Sequence, residues 1–154
     1  MKKIFLGALC LLLCLGVSAK APVKIACVGN SITYGYTIEN RERDSYPAQL
    51  QRMLGEGYTV GNFGKSGATL LNKGHRPYMK QEEFQKALAF AGDIVVIHLG
   101  INDTDPRNWP DYRDFFVRDY LALIDSFRVV NPDVRILVAR MTPIADRHPR
   151  FESG

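Results

Sequence analysis

At 154 residues the chain is long enough for one domain with a sizeable core and too short for two. Hydrophobic residues at 46% and charged residues at 23% describe a globular protein and exclude a disordered or low-complexity one. The formal charge of +4 does not indicate a nucleic-acid partner: no Lys/Arg cluster is interleaved with aromatics, and Lys2 and Lys3 lie in a segment expected to be removed.

That segment, Met1–Ala21, has the layout of a secretory signal peptide, with a basic start, an apolar run from Ile4 to Val17, and small residues at Ser18, Ala19 and Ala21. Cleavage is expected after Ala19 or Ala21. The apolar run is shorter than the roughly 20 residues a membrane span needs, so no stable membrane insertion is expected after cleavage. Cys10 and Cys14 each follow a leucine, which disfavours a lipid anchor. The mature protein, from residue 22 to 154, is therefore expected to be periplasmic or secreted. Only Cys27 survives in it, so no internal disulfide can form, and its place in an apolar strand marks it as a buried small side chain. One cysteine and three scattered histidines suggest no metal site, and no cofactor is expected.

In chain order, the apolar run from Val23 predicts a buried strand ending in the turn Gly29-Asn30-Ser31. Tyr34–Arg43 reads as a polar loop. Ser45 caps a helix with Pro47 in its first turn and Leu50, Met53 and Leu54 on its apolar side, stopped by Gly55 and Gly57. Tyr58–Val60 is a short strand, Gly64–Tyr78 a loop, and Gln81–Ala91 a helix with Phe84, Ala87, Leu88 and Ala91 at helical spacing. Ile94–Leu99 is the strongest strand. The loop Thr104–Pro110 leads to a helix from about Asp111 to Val130, and Arg135–Met141 is a fourth strand. Strand–helix alternation predicts an α/β fold, a parallel sheet with helices on both faces in three layers. The chain stops at Gly154 without the further helix and strand that such a sheet normally has, and is expected to be truncated at the carboxyl end.

Three polar turns follow the first three strands: Gly29-Asn30-Ser31, Asn62-Phe63-Gly64-Lys65-Ser66-Gly67 and Gly100-Ile101-Asn102-Asp103. If the strands are parallel neighbours, the turns converge where open α/β sheets place their reacting groups. Acyl transfer by a serine needs an open hydroxyl, a base, and donors for the oxygen that becomes negative. Ser31 supplies the hydroxyl; the N–H groups of Ser31 and Gly64 and the amide of Asn102 are candidate oxyanion donors. Glycine at 64 is expected to keep its N–H approachable. Gly64-Lys65-Ser66 is not a phosphate loop, because Thr59 stands where that motif needs glycine. Asp103 is read as an anchor of its turn, His98 as a core residue and His75 as solvated. Tyr34, Tyr36, Trp109 and Tyr112 lie in loops on the same edge; Tyr34 and Trp109 are possible substrate-loop residues, open to stacking on a sugar ring or to ordinary loop packing.

Gly29-Asn30-Ser31-Ile32-Thr33, Asn62-x-Gly64-x-Ser66-Gly67 and Gly100-Ile101-Asn102-Asp103 resemble, in order, blocks I, II and III of the SGNH (GDSL-type) hydrolases. The resemblance covers nearly the whole mature chain. It implies a flavodoxin-like α/β/α fold, a serine esterase acting on short-chain, commonly acetyl, esters of carbohydrates, Ser31 as nucleophile, and Gly64 and Asn102 as oxyanion donors. The substrate expected is a small-molecule or glycan ester. A lipase or thioesterase of the same fold and a non-catalytic glycan-binding relative are the alternatives. Asn30 departs from the family's aspartate in block I. The D-x-x-H of block V, which carries the catalytic histidine, is missing; Asp146-Arg147-His148-Pro149 has one intervening residue instead of two and is read as a decoy.

Overall fold

The structure, a computed structural model, describes residues 20–143. The expected signal peptide up to Ala19 and the Asp146–Pro149 segment lie outside the described residues. Four parallel strands form one sheet in the order β2-β1-β3-β4: β1 is Val23–Gly29, β2 Tyr58–Gly64, β3 Ile94–His98 and β4 Arg135–Val138. The central position of β1 explains its composition. With a strand on each side and helices on both faces, Ile25, Ala26, Cys27 and Val28 are all buried.

Alternate β1 residues face two different layers. Ala26 and Val28, with Val95 and Ile97 of β3, pack against Phe84 and Ala87 of α4 (Glu82–Phe90) and Leu123 and Phe127 of α6 (Phe116–Val130). On the opposite face Cys27 meets Tyr46 of α3 (Tyr46–Leu54), and burial pushes the Cys27 thiol up to about 11, which leaves it protonated and inert. The result is the three-layer α/β/α arrangement.

β4 stops at Val138 rather than Met141, and three further elements differ from the sequence expectation. β2 runs to Gly64 rather than stopping at Val60, because seven residues pair in register with β1 from Val23–Tyr58 to Gly29–Gly64. Asn62 and two glycines are poor strand formers, and the pairing overrides them. The polar stretch after β1 holds two short helices, α1 (Ser31–Tyr34) and α2 (Arg41–Asp44). The long helix expected from Asp111 is broken into α5 (Trp109–Tyr112), a 3₁₀ turn and α6. Ser45 stands at the N-cap of α3 as expected but makes no side-chain capping bond there.

β2 is an edge strand, and Gln51 of α3 covers part of that edge as a neighbouring backbone would. Its Oε1 accepts the Val60 N–H at 2.7 Å and its Nε2 donates to the Tyr58 carbonyl at 3.0 Å. Such covering blunts an edge that would otherwise template pairing with another chain.

Candidate active site

All four strands run the same way, so the turns after β1, β2 and β3 open side by side at one edge of the sheet. Gly29 stands opposite Gly64 on one side and His98 on the other. Ser31 is the first residue of α1, half-buried, and Asn30 caps that helix by accepting the Ile32 N–H at 3.0 Å. The cap needs only one side-chain oxygen, so asparagine performs it without the charge of an aspartate. The second polar atom of Asn30, Nδ2, is buried and has no partner among the described residues.

Gly64 has a second reason for being glycine beside the one expected from the sequence. A Cβ there would lie 2.6 Å from Tyr34 Cα and 2.7 Å from the Thr33 carbonyl carbon, both backbone atoms of α1. The missing side chain lets α1 sit down on the end of β2, and so sets the height of Ser31. The Gly64 N–H already donates to Asn62 Oδ1 at 3.0 Å. Three residues on, Gly67 adopts φ +77 in the turn, and among the described residues no hydrogen bond engages its N–H. The left-handed turn glycine that ends Asn62–Gly67 was the sequence signal for this second candidate donor.

Asn102 lies in the 3₁₀ turn Ile101–Thr104 after β3. Its Nδ2 donates one hydrogen to the Ala68 carbonyl at 2.9 Å, which orients the amide and leaves its second hydrogen for another acceptor. Ala68 is the residue next to Gly67, so the Asn102 amide is bonded directly to the turn that follows β2.

The segment after β2 is a folded, buried loop. Ala68, Leu70, Leu71 and Tyr78 are all at most 1% exposed. Asp103, fully buried, accepts the Leu70 and Leu71 N–H groups at 2.9 and 2.7 Å and so anchors this loop to the third turn. Burial pushes its carboxyl up to about 6, and the N–H groups it accepts restrain the rise. Asp119 of α6 holds the same loop through the Asn72 N–H at 2.8 Å.

The remaining candidates have structural company. Trp109 is half-buried and packs edge-on against Phe116 with centroids 5.7 Å apart, while Tyr34 is exposed with the Arg41 guanidinium 4.2 Å over its ring. His75 places Nδ1 3.0 Å from Asn108 Nδ2, and desolvation lowers the pKa of the His98 imidazole. Neither histidine bonds to Ser31. Ser66 Oγ is buried without a partner. No group of three or more His, Cys, Asp or Glu that could hold a metal ion occurs among the described residues. A groove of about 760 Å³ follows β2 between α3 and α4, with Tyr34, Asn62 and Gly64 in its wall, but Ser31 and Asn102 do not line it.

The fold and site together define a class: an open parallel α/β sheet whose strand-end turns carry a serine, an unengaged glycine N–H and an oriented amide. Residues 27–153 match the model of the GDSL-like lipase/acylhydrolase family, and the chain belongs to that family. An acetylxylan esterase of Xylanibacter ruminicola is 50% identical over 106 residues, covering 69% of this chain; the chain spans about a fifth (22%) of that protein's length. A family two carbohydrate esterase from Clostridium thermocellum, solved with cellohexaose, superposes with a TM-score of 0.62 at 25% identity, over 84% of this chain and 46% of that one. The native aryl esterase of M. smegmatis shares the fold, with a TM-score of 0.60 at 21% identity over 83% of this chain and 68% of that one. No helix among the described residues is long and apolar enough to cross a membrane.

Proposed function

We propose that this protein is an exported serine esterase that removes short acyl groups, acetyl in particular, from carbohydrates. The observation that carries the reading is that Ser31 and an Asn102 amide that keeps one N–H uncommitted follow neighbouring parallel strands, in a family whose members are acylhydrolases. The relative named as an acetylxylan esterase and the carbohydrate esterase solved with cellohexaose support the choice of substrate.

In this reading Ser31 Oγ bonds to the ester carbonyl carbon and its proton passes to a base. The carbonyl π pair moves onto oxygen, where N–H donors aimed at the developing charge lower the barrier. Those donors are the Ser31 N–H, the second Asn102 amide hydrogen and a turn N–H after β2. Gly64 fills the last role only by giving up its bond to Asn62, whereas Gly67 has none to give up. Collapse of the intermediate expels the sugar alcohol, and water releases the acid from the acyl-enzyme. Tyr34, at the end of α1, and Trp109, at the start of α5, are candidate contacts for the sugar.

An organophosphonate should label the full-length protein at Ser31, and Ser31→Ala should lose nearly all hydrolysis of p-nitrophenyl acetate. Labelling at Ser66 instead would overturn the assignment. Export makes a separate check: the mature protein should begin at Lys20 or Pro22 and be recovered from the periplasm or medium.

A further inference from the structure

Asn108 is 0% exposed, although it lies in a loop of Pro, Arg and Asp residues at the rim of the sheet. Burying an amide is costly unless its polar atoms are bonded, and here they are. Its Oδ1 accepts the His75 N–H at 2.9 Å. Its Nδ2 donates to the Asn102 main-chain carbonyl at 2.9 Å and lies 3.0 Å from His75 Nδ1. Its own N–H donates to the Asp105 carbonyl at 2.8 Å, which holds it in place within the turn.

One side chain therefore bonds the loop after β2 and, in the loop after β3, the residue whose amide faces the proposed oxyanion. We propose that Asn108 is a positioning residue for the ester hydrolysis. It holds Asn102 by its carbonyl while Ala68 holds the same residue by its amide, and the two bonds together fix where the second amide hydrogen points. Asp103 has a different role. It pins the backbone at Leu70 and Leu71 and bonds no atom of Asn102 through its side chain. The inference rests on the function proposed above. Without the Asn108 bond the Asn102 carbonyl keeps only the longer bond from the Asp105 N–H, at 3.4 Å, and a misplacement of about 1 Å at a catalytic group can cost about 10²-fold in rate.

The test is a double-mutant cycle in the full-length enzyme, with kcat and KM for p-nitrophenyl acetate measured for Asn102→Ala, Asn108→Ala and the pair. Asn102→Ala should lower kcat by about 10²–10³, and Asn108→Ala by about 10–10² with KM unchanged. Added to Asn102→Ala, the Asn108 substitution should cost little more, because the group it positions is gone. Equal fractional losses in both backgrounds would overturn the positioning role and leave the site intact. An Asn102→Ala enzyme with wild-type kcat would instead overturn the underlying oxyanion assignment. Should Asn108→Ala fail to fold, Asn108→Asp keeps the volume and the acceptor for the His75 N–H while removing the donor to Asn102. Its kcat should fall likewise; a folded Asn108→Asp enzyme with wild-type kcat would refute the inference.

Discussion

Replacing Gly64 by alanine separates two reasons for glycine at that position. The new Cβ would stand 2.6 Å from Tyr34 Cα, where ordinary contact begins near 3.4 Å, so the backbone of α1 must retreat by about 0.8 Å or more. No flexible side chain can give way instead. Overpacking of this kind costs about 1–3 kcal/mol. At a few degrees per kcal/mol for a domain of this size, the melting temperature should fall by roughly 3–10 °C. The displaced helix begins at Ser31, so hydrolysis of p-nitrophenyl acetate should also drop, by about 10²-fold. Gly67→Ala is the contrast. Its Cβ would meet only the Arg76 side chain, at 3.3 Å, and the main cost is the positive φ of the turn, about 1 kcal/mol. Thermal denaturation and steady-state kinetics on both variants decide the matter. A Gly64→Ala protein with unchanged melting temperature and activity would refute the idea that the end of β2 seats the helix bearing Ser31.

The acid side of the stability profile should show two opposed contributions. Asp103 has its carboxyl raised from 3.8 to about 6 by burial, so its contribution is full below the unfolded value and is lost as pH rises through about 6. Asp105 is held down at about 2, chiefly by its hydrogen bonds to Arg107, so its contribution is present above the unfolded value and is lost as pH falls towards 2. Urea denaturation across that range should show the upper slope reduced in Asp103→Asn and the lower one reduced in Asp105→Asn; slopes identical to wild type would contradict both assignments. Gln51→Ala should uncover the Val60 N–H and the Tyr58 carbonyl on the β2 edge, at a cost of about 1–2 kcal/mol and with faster growth of light scattering on incubation. Unaltered melting and scattering would show that Gln51 does not protect the edge.

The alternation of apolar strands with amphipathic helices made the parallel α/β architecture readable before any coordinates, because burial on both sheet faces leaves β1 and β3 as continuous apolar runs. The three turns were legible for a related reason. Small polar residues after such runs have few uses other than turning the chain and presenting N–H groups, hydroxyls and amides at the sheet edge. Ser31 and Asn102 could thus be named as candidates from sequence. Local pattern carries no account of pairing partners. The extension of β2 through Asn62, Phe63 and Gly64 came from its seven-residue register with β1, which local propensity opposes. The same limit applies to what each glycine does: Gly64 is small because the backbone of α1 rests on it, a contact between segments 30 residues apart. Asp103 read as an anchor of its own turn and Asn108 as an ordinary loop polar residue, since nothing near them in sequence indicates that their partners are Leu70, Leu71, Asn102 and His75. The sequence by itself determined which groups are chemically able to act and at which strand ends they sit. Tertiary structure alone decided which N–H groups are already committed and which side chains hold the others in place, because a hydrogen bond between distant loops exists only once the sheet has brought them together.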